Sequence, residues 1–198
     1  MTGSLATLPQ FIRRHVVFPK TRFFKSVLLV IGASLALALS AKIQVPFWPV
    51  PITMQSMVVL LIGIAFGYRV GALILFAYVA EGIAGLPVFA GITAGPAYIA
   101  GPTGGYLLGF LLGGAFAGWA AERGWGRNLL SAMLVMLLGH LLIFAAGVSW
   151  LAALYGWSKA IAFGISPFLL ATLLKSGLGG AIAYASRRLA YGSHAASH

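Results

Sequence analysis

Apolar residues gather in six runs along the chain, at 26–41, 51–66, 70–86, 103–121, 129–154 and 165–184, separated by polar or Gly- and Pro-rich breaks. A helix needs about 20 residues to cross the hydrocarbon core of a bilayer, with a range near 17 to 25. Most of the runs fit that length; the first two are short and require flanking residues, tilt or burial against neighbours. The pattern therefore predicts six membrane-spanning helices. Two of the breaks differ from the rest. Segments 42–54 and 87–102 are long, almost uncharged and rich in Pro, Gly and aromatics. Irregular backbone at membrane depth persists only where protein or a cavity surrounds it, so these loops are expected to cap the outer mouth of the bundle.

Composition narrows the fold class further. Of the 198 residues, 61% are hydrophobic and only 8% charged, where a soluble domain carries about a quarter charged. The expected class is an all-α integral membrane protein, with a six-helix bundle over 26–190 and a short tail at 191–198. The basic stretch within 1–25 lacks the short apolar core and small-residue cleavage site of a signal peptide, and reads as an amphipathic segment at the cytoplasmic interface. The chain has no cysteine, which removes disulfides and thiolate metal sites.

The net charge of +11 changes the picture only through topology. Basic residues sit at the edges of apolar runs and no soluble basic domain carries them, so nucleic acid is not an expected partner. With the N-terminus inside, Arg13, Arg14, Lys20, Arg22, Lys25, Arg69, Arg123, Arg127, Arg187 and Arg188 all fall on the cytoplasmic side, and only Lys42 and Lys159 fall outside. That asymmetry satisfies the positive-inside rule and puts both termini in the cytoplasm.

The remaining basic residue, Lys175, lies within the last apolar run. A cation at the centre of a membrane helix costs about 2.5–3.5 kcal/mol on insertion scales, so it faces a cavity or a partner and marks a functional site. Acids are scarce: Glu81 and Glu122 are the only two, and there is no aspartate. Paired-carboxylate catalysis, carboxylate-rich metal sites and Ser-His-Asp triads need more than that, so neither an enzyme nor a metal site is expected. No phosphate-binding GxxxxGK[ST] loop is present either.

Glu122 reads as a surface residue of a basic turn, and His140 as a hydrogen-bonded structural histidine before a relay or ligand contact. Gly105, Gly109 and Gly113, with Gly114 and Gly118 beside them, read as close helix packing. The other polar residues collect near the two long loops: Thr53 and Gln55, Glu81, Thr103 and Tyr106, and Thr172 one turn before Lys175. Together they suggest an outward-facing pocket for a small ligand. Glu81 could pair with Lys175, or Lys175 could face the ligand.

Two stretches carry a family resemblance: VPFWPVPITMQSMVVLLIG at 45–63 and GLPVFAGITAGPAYIAGPTGGYLLGF at 85–110. They closely resemble the BioY family of biotin transporters, the substrate-binding S components of energy-coupling factor (ECF) transporters. The family pattern PVPITLQ stands here as PVPITMQ, and GPTGGYLLGF is intact. The resemblance implies a six-helix fold in a bacterial plasma membrane and capture of biotin from outside, with no cofactor. It also implies partners: an ATPase pair and a transmembrane coupling protein, or a homo-oligomer where a member works alone.

By motif, Thr53, Gln55, Thr103, Gly104, Gly105 and Tyr106 inherit a place in the biotin pocket, and Tyr78 and Glu81 lie in a stretch that also resembles the family. Ser34 and Ala38 match the small-residue stripe that docks the coupling protein; packing within the bundle explains them equally well. One departure stands out. The family reads PF-x-x-GD-x-x-K in the last helix, whose aspartate and lysine look like contacts to the ureido ring. This chain reads PFLLATLLK from Pro167 to Lys175, so Thr172 replaces the aspartate. A hydroxyl accepts more weakly than a carboxylate, and weaker or altered binding is expected. The competing readings are an S component for another small vitamin, a membrane-embedded enzyme and a scaffold.

Overall fold

The computed structural model describes residues 20–195, so most of the interfacial segment expected over 1–25 lies outside the described residues. The chain runs through α1 (Lys20–Lys42), a two-stranded antiparallel ladder of β1 (Gln44–Val45) and β2 (Ile52–Thr53), and α2 (Gln55–Ile83). It continues through the short α3 (Pro96–Ala100), α4 (Gly104–Glu122), α5 (Leu129–Tyr155), α6 (Trp157–Gly164), a 3₁₀ turn (Ser166–Phe168) and α7 (Leu169–Ala195). Among the described residues, four helical stretches are long and apolar enough to cross a membrane: Gln55–Ile83, Gly104–Glu122, Leu129–Tyr155 and Trp157–Leu189. The apolar part of α1, Ser26–Lys42, is shorter.

Helix α2 is not one straight rod. Gly67 has φ 78° and ψ 173°, outside the helical region, and only a residue without Cβ takes that conformation cheaply. The chain doubles back there: Gln55 Nε2 donates to Tyr78 Oη at 2.6 Å, although 23 residues of straight helix would hold the two about 34 Å apart. The two antiparallel arms, 55–66 and 68–83, match the apolar runs expected at 51–66 and 70–86. Glu122 secures the bend by accepting from the Tyr68 N–H at 3.0 Å, so this acid is a cap for the hairpin.

Glycines on α4 let it sit between two neighbours. A Cβ on Gly63 would overlap the carbonyl oxygen of Gly114, and one on Gly118 would lie 2.5 Å from the Gly67 carbonyl carbon. On its other face, a Cβ on Gly109 would lie 2.7 Å from Ile143 O and one on Gly113 2.8 Å from Gly139 O, both on α5. One side of α4 therefore abuts the α2 hairpin and the other abuts α5, backbone against backbone. Helix α5 starts at a reciprocal cap: Ser131 N donates to Asn128 Oδ1 at 2.8 Å and Asn128 N to Ser131 Oγ at 3.4 Å.

The two long loops meet at one end of this bundle. The ladder pairs Gln44 with Thr53 and Val45 with Ile52, and its turn carries a cis Trp48–Pro49 bond. Lys42 Nζ donates to Phe89 O at 2.8 Å and Gly91 O at 2.7 Å, tying the first loop to the second. Trp150 Nε1 donates to Gly101 O at 3.0 Å, fastening the second loop to α5. These loops contain a short ladder and a five-residue helix, so they are more regular than expected.

Two boundaries also differ from expectation. Helix α6 occupies the break before the last apolar run, and a 3₁₀ turn holding Pro167, which has no N–H to continue the α6 ladder, separates it from α7. Helix α7 starts at Leu169 and runs past Tyr184 to Ala195, through Arg187 and Arg188. Hydropathy marks how much of a helix suits lipid; arginine is a good helix former and prolongs the helix beyond it. The surface is apolar in stripes, with Leu28, Ile31, Leu35 and Leu39 of α1 and Leu170, Leu173 and Leu174 of α7 each more than half exposed. Continuous apolar surface of that extent suits a lipid environment.

Candidate functional site

A cavity of about 530 Å³, its open mouth included, lies beneath the two loops. The ladder and the start of α2 supply Val50, Pro51, Thr53, Gln55 and Ser56; the second loop supplies Ala90 and Tyr98. Thr103 and Tyr106 line it where the chain enters α4, and His140 and Phe144 line it from α5. Phe168 and Lys175 close it from the last helix and the turn before it. Tyr106 stacks on Phe168 at 6.3 Å between ring centroids, and Phe144 meets both rings edge-on. These rings make one wall apolar.

The polar wall is a connected network. Lys175, only 7% exposed, donates from Nζ to Ser56 Oγ at 2.8 Å and to Thr53 O at 3.2 Å. Ser56 Oγ lies 3.2 Å from His140 Nε2, and His140 Nδ1 lies 2.9 Å from Met136 O and 3.1 Å from Ser176 Oγ. A carbonyl oxygen only accepts, so Nδ1 carries the imidazole proton and Nε2 takes the Ser56 hydroxyl proton. The Ser56 lone pairs then face the lysine. His140 is thus hydrogen-bonded as a structural histidine and also shares in holding Lys175.

Several expected residues come together here and others do not. Thr53, Gln55, Thr103, Tyr106 and Lys175 line the cavity. Tyr78 stands one layer behind: fully buried, it takes the Gln55 amide hydrogen and donates to Val88 O at 2.7 Å, fixing Gln55 against the second loop. Gly104 and Gly105 do not line it. A Cβ on Gly104 would overlap Ile99 O, and one on Gly105 would lie 2.8 Å from Ala146 O, so both serve close packing.

Glu81 accepts a hydrogen bond from Ser34 Oγ, and no hydrogen bond or ion pair joins it to Lys175. Ser34 is 2% exposed and Ala38 is half-buried against the core, so the small-residue stripe of α1 is turned inward onto the second arm of α2. Thr172 is 5% exposed and its hydroxyl has no hydrogen-bond partner.

Ser56, Phe144 and Phe168 belong to the site beyond the residues expected from the sequence. Ser56 had a usable signal, since it lies one turn from Thr53, directly after Gln55. Phe144 and Phe168 had none, because an aromatic in a lipid-suited run looks the same whether it faces lipid or ligand. Tyr98, in α3, sits against Thr103 and Ala90, and burial raises its hydroxyl pKa above the ordinary value. It stays a neutral hydrogen-bonding group at the cavity mouth. Among the described residues, no group of three His, Cys, Asp or Glu lies close enough to hold a metal ion.

Fold and site together define a small multi-pass membrane protein with a ligand cavity under loops at one end. Comparison with known proteins gives the class a name. The BioY family model matches residues 14–191, and the chain belongs to that family. It is 39% identical over 139 residues to the "Probable biotin transporter BioY" of Pyrococcus horikoshii, covering 70% of this chain and 82% of the relative. It is 37% identical over 154 residues to the "Biotin transporter BioY" of Thermotoga maritima, covering 77% and 90%. Among solved structures, the fold matches the 2.1 Å crystal structure of the S-component for biotin from an ECF-type ABC transporter with a TM-score of 0.75, over 87% of this chain and 95% of that one, at 22% identity.

Proposed function

We propose that this protein captures biotin and carries it across a bacterial plasma membrane as the substrate-binding component of an ECF-type transporter. The observation that carries the reading is Lys175, held by Thr53 and Ser56 in a loop-capped cavity, within a chain of the BioY family. The aromatic wall of Tyr106, Phe144 and Phe168 suits the apolar ring carbons and sulfur of biotin, and the hydrogen-bonding groups of Gln55, Thr103 and Lys175 suit its polar groups. The role is binding and transport without catalysis.

Counting the two arms of α2 separately gives six crossings, with α1, α4, α5 and α7 supplying the rest. Both termini then lie in the cytoplasm, on the side where Arg69, Arg123, Arg127, Arg187 and Arg188 collect. The Lys42 clamp and the ladder cap the cavity from outside. A separate ATPase pair acting through a transmembrane coupling protein supplies the energy in this reading, which fits a chain without a phosphate-binding loop; the alternative is a solitary homo-oligomer that works without that module. Thr172, where the family has an acid, favours one second reading, an S component for another small vitamin. Uptake of labelled biotin by proteoliposomes holding this chain with and without an ECF module tests the proposal. ATP-dependent uptake only with the module is expected; uptake of another vitamin but not biotin would support the second reading.

A further inference from the structure

Tyr78 is fully buried behind the cavity, and its hydroxyl makes two hydrogen bonds. The partner at 2.7 Å is the carbonyl oxygen of Val88, which can only accept, so the single phenolic proton points there. The partner at 2.6 Å is the Gln55 carboxamide, and it must then donate. The two ends of a carboxamide have nearly the same shape, so this proton count decides which end faces Tyr78. The nitrogen does, and the oxygen is turned away from it. Gln55 lines the cavity, and no hydrogen bond from the described residues reaches its Oε1.

The second loop keeps Val88 O in place as an acceptor. Its neighbour Phe89 is 1% exposed, stacked on Tyr98 at 4.7 Å between ring centroids and edge-on to Tyr78 at 5.6 Å. Gly82 makes room for that ring, since a Cβ there would overlap it. Lys42 Nζ holds the Phe89 carbonyl at 2.8 Å. With the loop pinned this way, Val88 O retains the phenolic proton. Turning the Gln55 amide over would set its oxygen against a phenol oxygen whose proton is already committed. Two buried acceptors would then face each other, which is costly where water cannot compensate.

We infer that Tyr78 is a positioning residue that fixes the polarity of Gln55: it holds the carboxamide with Oε1 toward the cavity, so this position takes an N–H group of the ligand. The inference rests on the biotin-binding reading and deepens it. At neutral pH the biotin carboxylate only accepts and the thioether accepts weakly, so the N–H groups of biotin are those of its ureido ring. The ureido ring therefore meets Gln55 at the start of α2. Tyr78 acts on it only through Gln55, and the second loop shapes recognition through Tyr78.

Equilibrium binding of labelled biotin to the purified full-length protein tests this in a cycle of Tyr78→Phe and Gln55→Met. Phenylalanine keeps the ring against Phe89 but frees the Gln55 amide to turn, and affinity is expected to fall about tenfold, the size of one hydrogen bond. Gln55→Met is expected to lose about tenfold or more, and adding Tyr78→Phe to it should cost less than about twofold, because no amide remains to orient. Tyr78→Phe combined with Gln55→Glu should bind within about threefold of the unaltered protein, since a carboxylate offers an oxygen at every rotation. Full affinity in Tyr78→Phe would overturn the inference, and so would an equal loss from Tyr78→Phe in the Gln55→Met background, which marks a loop anchor only. Isotope-labelled glutamine in the unaltered protein gives a readout that needs no folded Tyr78 variant. Biotin is expected to move the Gln55 side-chain carbonyl resonance, assigned by its absence in Gln55→Met, and an unmoved resonance would also overturn the inference. Failure of biotin to bind saturably to the unaltered protein would instead defeat the transport reading, so the two failures are distinguishable.

Discussion

Removing one hydroxyl, with Ser56→Ala, tests whether the buried network holds Lys175 as a unit. Ser56 Oγ bridges Lys175 Nζ at 2.8 Å and His140 Nε2 at 3.2 Å. Its loss deletes a hydrogen bond to a charged group, worth about 1.5–3 kcal/mol, and strands an imidazole nitrogen on a residue 1% exposed, worth about 1–3 kcal/mol. The two losses share one atom and do not simply add, so about 3 kcal/mol of stability is the expected cost of Ser56→Ala. His140→Leu removes the stranded nitrogen itself and is expected to cost about 2 kcal/mol.

The double variant should then be less damaging than the sum of the singles by about 1 kcal/mol or more, because alanine at 56 no longer leaves a histidine unsatisfied. Equilibrium unfolding of the four proteins in mixed micelles, followed by tryptophan fluorescence, measures the cycle. Biotin affinity in the same samples gives a second readout, and it should fall about tenfold in Ser56→Ala as Lys175 loses its orientation. Additivity within about 0.3 kcal/mol would show that Ser56 and His140 act independently, and the network account of Lys175 would be wrong.

Two further outcomes follow from the packing and the loops. Gly63→Ala places a methyl group into the backbone oxygen of Gly114, which cannot rotate aside, so α4 must move away from the α2 hairpin. A loss of about 1–3 kcal/mol is expected in the same unfolding assay, against a few tenths for Gly177→Ala, where nothing lies within 4 Å. Lys42→Met cuts both ties between the first loop and Phe89–Gly91 at the rim, so labelled biotin should dissociate several-fold faster in filter binding while the unfolding midpoint stays nearly unchanged.

The apolar runs made most of the fold legible, because helices that face lipid must be long and uncharged. The runs at 51–66 and 70–86 fall on the two arms of α2, and the basic turn between them marks the Gly67 bend. The packing role of Gly109, Gly113, Gly114 and Gly118 was also readable, since glycines spaced along a membrane helix have no other common use. Helix α6 was not legible: it is eight residues long and sits on the surface, below the length that hydropathy detects.

At the site, Lys175 announced itself through its charge, and Thr53, Gln55, Thr103 and Tyr106 through their position at the loop mouths. Gly104 and Gly105 share a motif with Thr103 and Tyr106 but support the cavity from outside it, because a motif records what a segment needs without separating contact from packing. For Ser34 the sequence leaves docking and packing within the bundle equally open. Only the fold shows that its hydroxyl has Glu81 to bind, 47 residues away.

The central claim is that Lys175 and its neighbours form a biotin site. Equilibrium binding of labelled biotin to the purified protein, repeated with Lys175→Ala and with desthiobiotin and thiamine as competitors, tests it most directly. The account predicts saturable binding that desthiobiotin displaces and thiamine does not, with at least a tenfold loss of affinity in Lys175→Ala. Biotin binding that survives Lys175→Ala unchanged, or that thiamine displaces as well as desthiobiotin does, would contradict it.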